Sequence, residues 1–126
     1  ATLLSLAGIK VPEHFKGFDL TTKASRDAVY IQISESQCAR SIRTKDYKYS
    51  VAVPTYIAGV ALSSSPIYIE DYLYDLKSDP EEKHNLIKDK GYKQVRKKLQ
   101  KILLREMQNA ENRSAIILPA IISKKK

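Results

Sequence analysis

The chain holds no tryptophan, one cysteine, one methionine, two histidines and four glycines in 126 residues. A lone Cys38 excludes an internal disulfide, and a buried, inert thiol is its expected role. Two histidines and one cysteine without ligand spacing do not make a zinc set. No two glycines are close enough to form a phosphate-cradling loop. No apolar run approaches the roughly 20 residues that span a bilayer, and Ala1 to Ala7 has no basic flank that would mark a leader. No internal repeat is visible, which excludes a solenoid.

What is present suits one small folded domain. Apolar residues make up 43% and charged residues 29%, well away from the composition of disordered chains. The net charge of +8 is uneven: from Lys88 onward there are 12 Lys and Arg against 3 Asp and Glu, while residues 1–87 hold 10 against 11. An excess of that kind raises nucleic-acid binding as a function.

Leu3, Leu4, Leu6 and Ala7 followed by Gly8 read as the last turns of a helix begun upstream, and the absence of an initiator Met fits a piece of something longer. Pro12 and Gly17 then mark a connecting loop up to residue 27. Val29, Ile31 and Ile33 alternate with Tyr30, Gln32 and Ser34, which predicts a strand burying the first set. Ala39 to Thr44 and Tyr47 to Val53 predict a hairpin around Lys45-Asp46. Pro54 to Pro66 gives no clear pattern. Ile67 to Leu76 predicts a strand with Ile67, Ile69 and Leu73 on one side and Tyr68, Tyr72 and Tyr74 on the other.

Asp79-Pro80-Glu81-Glu82 carries the chemistry of a helix start, so a short helical turn is expected there. From residue 92 to 112, Tyr92, Val95, Leu99, Ile102, Leu103 and Ala110 form an apolar stripe at helical spacing. Lys93, Lys97, Lys98, Lys101 and Arg105 fall opposite it, so the basic run reads first as a solvated face. Ile116-Ile117-Leu118 fits either a short strand or a segment lying in a groove, ahead of the Lys124-Lys125-Lys126 tail. The expected fold is therefore α+β: an antiparallel sheet of about four strands packed against one long C-terminal amphipathic helix.

Catalytic chemistry is hard to place on these residues. His14 and His84 are the only histidines available as a base for Cys38, and no local motif pairs either with it. Glu70, Asp71, Asp75 and Asp79 form the main acidic concentration, but strand alternation separates the first two. No catalytic residue and no metal ligand is assigned.

Three stretches resemble the closing region of the sulfatase family within the alkaline-phosphatase-like superfamily. The first is Thr2 to Ile9 with Val11-Pro12 and Gly17. The second, Arg40 to Tyr49, is similar to an R-x-(I/V)-R-T-x-x-(Y/W)-K-Y hairpin. The third, Leu73 to Leu86, is similar to the signature LYDLxxDPxExxNL.

The resemblance implies a non-catalytic C-terminal portion of a sulfatase-like hydrolase: residues 1–27 as a truncated helix plus loop, and 28–126 as a sheet-and-helix subdomain. The parent would hydrolyse sulfate esters, or less typically phosphonate or phosphate esters. Its formylglycine nucleophile, made within C/S-x-P-S-R, and its divalent cation, usually calcium, would lie upstream. Cys38-Ala39-Arg40-Ser41-Ile42 lacks the required Pro, so Cys38 is not the modified residue.

As partners the resemblance implies the missing catalytic domain and a sulfated substrate, which His14, Arg43 and Lys48 could help to bind. Neither a membrane nor a specific nucleic acid is expected as a partner. Separated from its parent, the piece is expected to self-associate through an uncovered sheet face or to be marginally stable. The alternatives are a small basic module binding nucleic acid, and a small enzyme pairing Cys38 with a histidine.

Overall fold

The computed structural model describes residues 1–15, 17–22, 25–54 and 62–120. A short helix α1 (Thr2–Leu6) precedes four strands, β1 (Ala28–Ile33), β2 (Ala39–Thr44), β3 (Tyr47–Ala52) and β4 (Ile67–Asp75). A 3-10 turn (Lys90–Tyr92) then leads into α2 (Lys93–Glu111), and β5 (Ile116–Leu118) follows. The sheet order is β1-β2-β3-β4-β5. The first four strands are antiparallel, whereas β5 runs parallel to β4. The expected fold, a mostly antiparallel sheet with one long C-terminal helix, is present; among the described residues the sheet has a fifth strand, and β5 makes its one parallel pair. A parallel neighbour requires a long crossover, and α2 supplies it.

Gly8 takes the left-handed conformation expected of a helix end, at φ 69°. The β2–β3 hairpin turns at Lys45-Asp46 without a positive φ at either residue. Thr44 closes it instead, its Oγ1 accepting from Tyr47 N at 3.0 Å. The helical turn expected after Asp79 does not form. Asp79 accepts from Lys83 N and His84 N, and the chain then leaves any helical path because Glu82 adopts φ 57°.

Strand register decides which face is buried. Tyr30, Ile42, Tyr49 and Leu73 stand in one row across β1 to β4. Ile42, Tyr49 and Leu73 are fully buried, together with Val51 and Tyr68, against Leu99, Leu103 and Met107 of α2. Burying each such side chain contributes about 1.5–3 kcal/mol. Met107 belongs to the stripe, while Ala110 is exposed. The helix stands on this packing, because the like-charged pairs Lys93/Lys97, Lys97/Lys101 and Lys101/Arg105 each weaken it by roughly 0.2–0.5 kcal/mol.

One expected face is reversed and another is split by a bulge. In β1 it is Tyr30, with Ala28, that packs toward the core, and Val29 and Ile33 are 46% and 38% exposed. Apolar alternation locates a face but cannot say which layer covers it. In β4 the register passes from Ser50–Tyr72 to Val51–Glu70, leaving Asp71 as an extra, bulged residue. The bulge shifts the phase of the strand. Tyr68 and Leu73 therefore share the core side, and Ile67, Ile69 and Tyr72 share the other. Ile116 to Leu118 resolves as a strand; Thr55 to Ala61, Ile121, Ile122 and the lysine tail lie outside the described residues.

Candidate functional site

The expected substrate-binding residues divide into a pair and an outlier. Arg43 and Lys48 are cross-strand partners in the β2–β3 hairpin, on the face away from α2. Glu82 bridges them: Arg43 Nη1 donates to Oε1 at 2.9 Å, and Lys48 Nζ donates to Oε2. These bonds, from Lys48 first and then Arg43, hold the Glu82 carboxyl below the usual carboxylate range. His14 is exposed on the N-terminal loop and meets the edge of Phe15. No hydrogen bond or ion pair brings His14 to Arg43 or Lys48 among the described residues.

The local folding of residues 73–86 explains why Glu82 reaches the hairpin. Asp75 Oδ1 accepts from Lys77 N and Ser78 N to start a turn. Asp79 gathers Lys83 N and His84 N, and the backbone bond from His84 chiefly keeps its carboxyl below the usual range. Asn85 pins the returning chain to β4: its Oδ1 accepts from Leu73 N and Ile87 N, and its Nδ2 donates to the Asp71 carbonyl at the bulge. The polar side chains of the Leu73–Leu86 stretch thus fold a loop and aim one carboxylate at two cations.

A second polar cluster, not anticipated from the sequence, is buried between β2 and the end of α2. Arg40 is 1% exposed. Its Nε and Nη2 donate to Glu111 at 2.5 Å and 3.0 Å, its Nη1 donates to the carbonyls of Ile33 and Ala39, and its Nη2 donates to that of Ser63. Tyr30 also donates to Glu111. These bonds use all five N–H groups of the guanidinium, so the cluster fastens the helix to the sheet. The short spacing from Ile33 to Arg40 gave no signal, since an Arg in a strand usually faces solvent.

Cys38 is buried, and its Sγ lies 3.7 Å from Tyr68 Oη. His84 is paired instead with Asp79, at 3.6 Å. No Cys38–His pair forms among the described residues. Glu70 and Asp71 are separated as expected: Glu70 accepts from Tyr49 Oη, while Asp71 sits in the bulge, where burial raises its carboxyl. Among the described residues no three of His, Cys, Asp and Glu gather as a metal site, and no helix is long and apolar enough to cross a membrane. An open groove of about 1420 Å³ runs between β1 and α2 past Phe18, Tyr30, Val95 and Ile102. Its charges are mixed, with Asp27, Asp46 and Glu106 beside Lys45, Lys98 and Arg105.

Among the described residues, much of the face away from α2 is exposed. Val29, Ile33, Ile67, Tyr72, Ile116 and Leu118 are all exposed on it, and Arg43, Lys48 and Glu82 stand at its hairpin end. Ser50 Oγ, in the row of Ile31, Ser41 and Tyr72, is shielded from solvent yet has no partner among the described residues.

Similar folds occur in larger proteins. A structure solved in complex with its substrate D-glucosamine-2-N,6-O-disulfate matches with TM-score 0.66 at 22% identity, over 88% of this chain and 23% of that one. A protein of Bacteroides thetaiotaomicron assigned to the sulfatases matches with TM-score 0.64 at 26% identity, over 88% of this chain and 24% of that one. The assigned sulfatase yidJ of Bacteroides fragilis matches with TM-score 0.59 at 21% identity, over 87% and 24%. The chain therefore spans about a quarter of the length of these proteins. No curated protein matches it. The profile of one sequence family, described as N-sulphoglucosamine sulphohydrolase, C-terminal, covers residues 1–109. The chain belongs to that family of sulfatase C-terminal domains.

Proposed function

We propose that this chain is the non-catalytic C-terminal subdomain of a sulfatase-like hydrolase, and that its bare sheet face packs on the catalytic domain of the same protein. The observation that carries the proposal is the family match over residues 1–109 joined to an apolar face on which Val29, Ile33, Ile67, Tyr72, Ile116 and Leu118 are exposed among the described residues.

The nucleophile, a formylglycine, and the divalent cation, calcium, belong to the catalytic domain. The described residues of this chain do not fit a calcium cage, so no step is assigned to them. Their contribution is to position. Arg43 and Lys48 stand at the end of the docking face, where the pair can meet a sulfate at the mouth of the pocket, while Glu82 holds them in place and limits their net charge. His14, exposed on the N-terminal loop, is the third candidate for that contact.

The parent would hydrolyse sulfate esters or related sulfated sugars, with phosphonate and phosphate esters as lesser substrates. Sulfated glucosamines come first for assay, because the family description and the substrate of one similar structure both contain that sugar. The test is turnover by the longer protein that carries this chain, with the purified chain alone as control. Release of sulfate by the longer protein and none by the chain is expected. Turnover by the chain alone that is lost in C38A would overturn the reading.

A further inference from the structure

We propose that the outer face of α2 is a docking strip for a polysulfated polysaccharide chain, lying on the opposite side of the subdomain from the face that meets the catalytic domain. The inference rests on the sulfatase reading above and concerns what that reading does not specify: whether the substrate is a free sugar or the end of a long polyanion.

Lys93, Lys97 and Lys101 follow one another at intervals of four residues, about 6 Å each along the helix, and Lys98 flanks them. All four are exposed. None takes part in an ion pair or a side-chain hydrogen bond among the described residues, although α2 carries Glu106 and Glu111. Those two acids are engaged elsewhere, Glu106 with Arg105 and Glu111 with Arg40. Lys93, Lys97 and Lys101 therefore form a row of cations with no ion-pair partner among the described residues, and Lys98 stands where that row meets the groove that also holds Asp27, Asp46 and Glu106. The row weakens its own helix through repulsion between successive turns, where acids at alternate positions would have given solubility without that cost.

The placement matters as much as the charge. α2 covers the sheet face that bears Tyr49 and Leu73, and its lysines project away from it. A catalytic domain seated on Ile67, Tyr72 and Ile116 leaves the strip open.

Charge complementarity selects a repeating polyanion over a single sulfated sugar, because exposed lysines hold one anion weakly and gain only when several are engaged together. A nucleic acid is the poorer fit. No aromatic residue stands among the four lysines for a base to stack on, and Tyr92, the nearest, is engaged with Asp75 and Tyr47. The strip would raise the local concentration of a sulfated chain and hold it while its end is processed.

The experiment uses the full-length protein that carries this chain and its combined variant K93Q/K97Q/K98Q/K101Q. The probes are a heparin oligosaccharide of defined length and a single-stranded DNA of matched charge, titrated over a series of salt concentrations. The expected result is heparin binding that weakens with salt and falls about tenfold further in the variant at low salt. In the same variant KM rises for the polysulfated chain and stays constant for a sulfated monosaccharide. Heparin binding unchanged by the four substitutions would overturn the strip, and so would DNA bound as tightly as heparin and lost to the same degree. Turnover of the monosaccharide reports separately on the sulfatase reading: its absence from both proteins would sink that reading, whatever the heparin titration gives.

Discussion

Arg40 in β2 and Glu111 in the last turn of α2 are joined by two parallel hydrogen bonds, at 2.5 Å and 3.0 Å, with the arginine side chain wholly buried and the carboxylate 11% exposed. The pair ties the end of the helix to the second strand, 71 residues earlier in the chain. Tyr68 lies under the guanidinium, with its ring centroid 5.7 Å away, and Tyr30 adds a bond to the same carboxylate.

Removing one member of this pair leaves a buried charge alone. R40M is expected to destabilise the fold by about 3–5 kcal/mol, and R40M/E111M to recover a large part of that loss, because two apolar groups leave no orphaned charge. Urea unfolding of the three proteins checks it. Equal stability of the single and double variants would show that the charges do not act as a pair.

The pair also sets an acid limit. Hydrogen bonds from Arg40 and then Tyr30 hold the Glu111 carboxyl below its ordinary value of 4.5. A group depressed in the folded state contributes stability that is fully present above the ordinary value and is lost as pH falls through the folded one. Glu82, depressed by Lys48 and Arg43, adds in the same direction. Melting temperature should hold from neutral pH down to the ordinary carboxylate range and then drop. The drop should be shallower in E111Q, measured as its shift from its own value at neutral pH.

Glu82 offers a separate test, since it carries both a left-handed backbone and two cation contacts. E82A loses the contacts and keeps the strain, while E82G loses the contacts and relieves it. The glycine variant is expected to be more stable than the alanine variant by about 1 kcal/mol. Because both cations are partly exposed, the contacts themselves contribute only about 0–1 kcal/mol. Denaturant midpoints of the two variants decide this, and an alanine variant at least as stable as the glycine variant would contradict it.

Much of this was legible in the sequence because the signals were local. Period-two alternation gave β1 and β4, helical spacing gave α2 to within a residue at each end, and Leu73 to Leu86 pointed to the family. What escaped depends on distant residues. Nothing near Asp71 announces a bulge, yet that one extra residue moves Leu73 to the side of Tyr68. The face of β1 that turns inward is chosen by Tyr30 reaching Glu111, at a separation of 81 residues. The parallel seat of β5 depends on where α2 delivers the chain. Of the site, the Arg43–Lys48 pairing followed from the hairpin, whereas its carboxylate clamp required the fold of the 75–85 loop.

The central claim is that the bare sheet face meets the catalytic domain while the outer side of α2 stays in solvent. Thiol labelling of the full-length protein tests it most directly, comparing I31C and Y72C on the sheet with K97C on the helix, each corrected for the background of the unsubstituted protein. The account predicts slow labelling at Ile31 and Tyr72 in the native protein, fast labelling at Lys97, and equal rates at all three after denaturation. Native labelling at Ile31 and Tyr72 as fast as at Lys97 would contradict it.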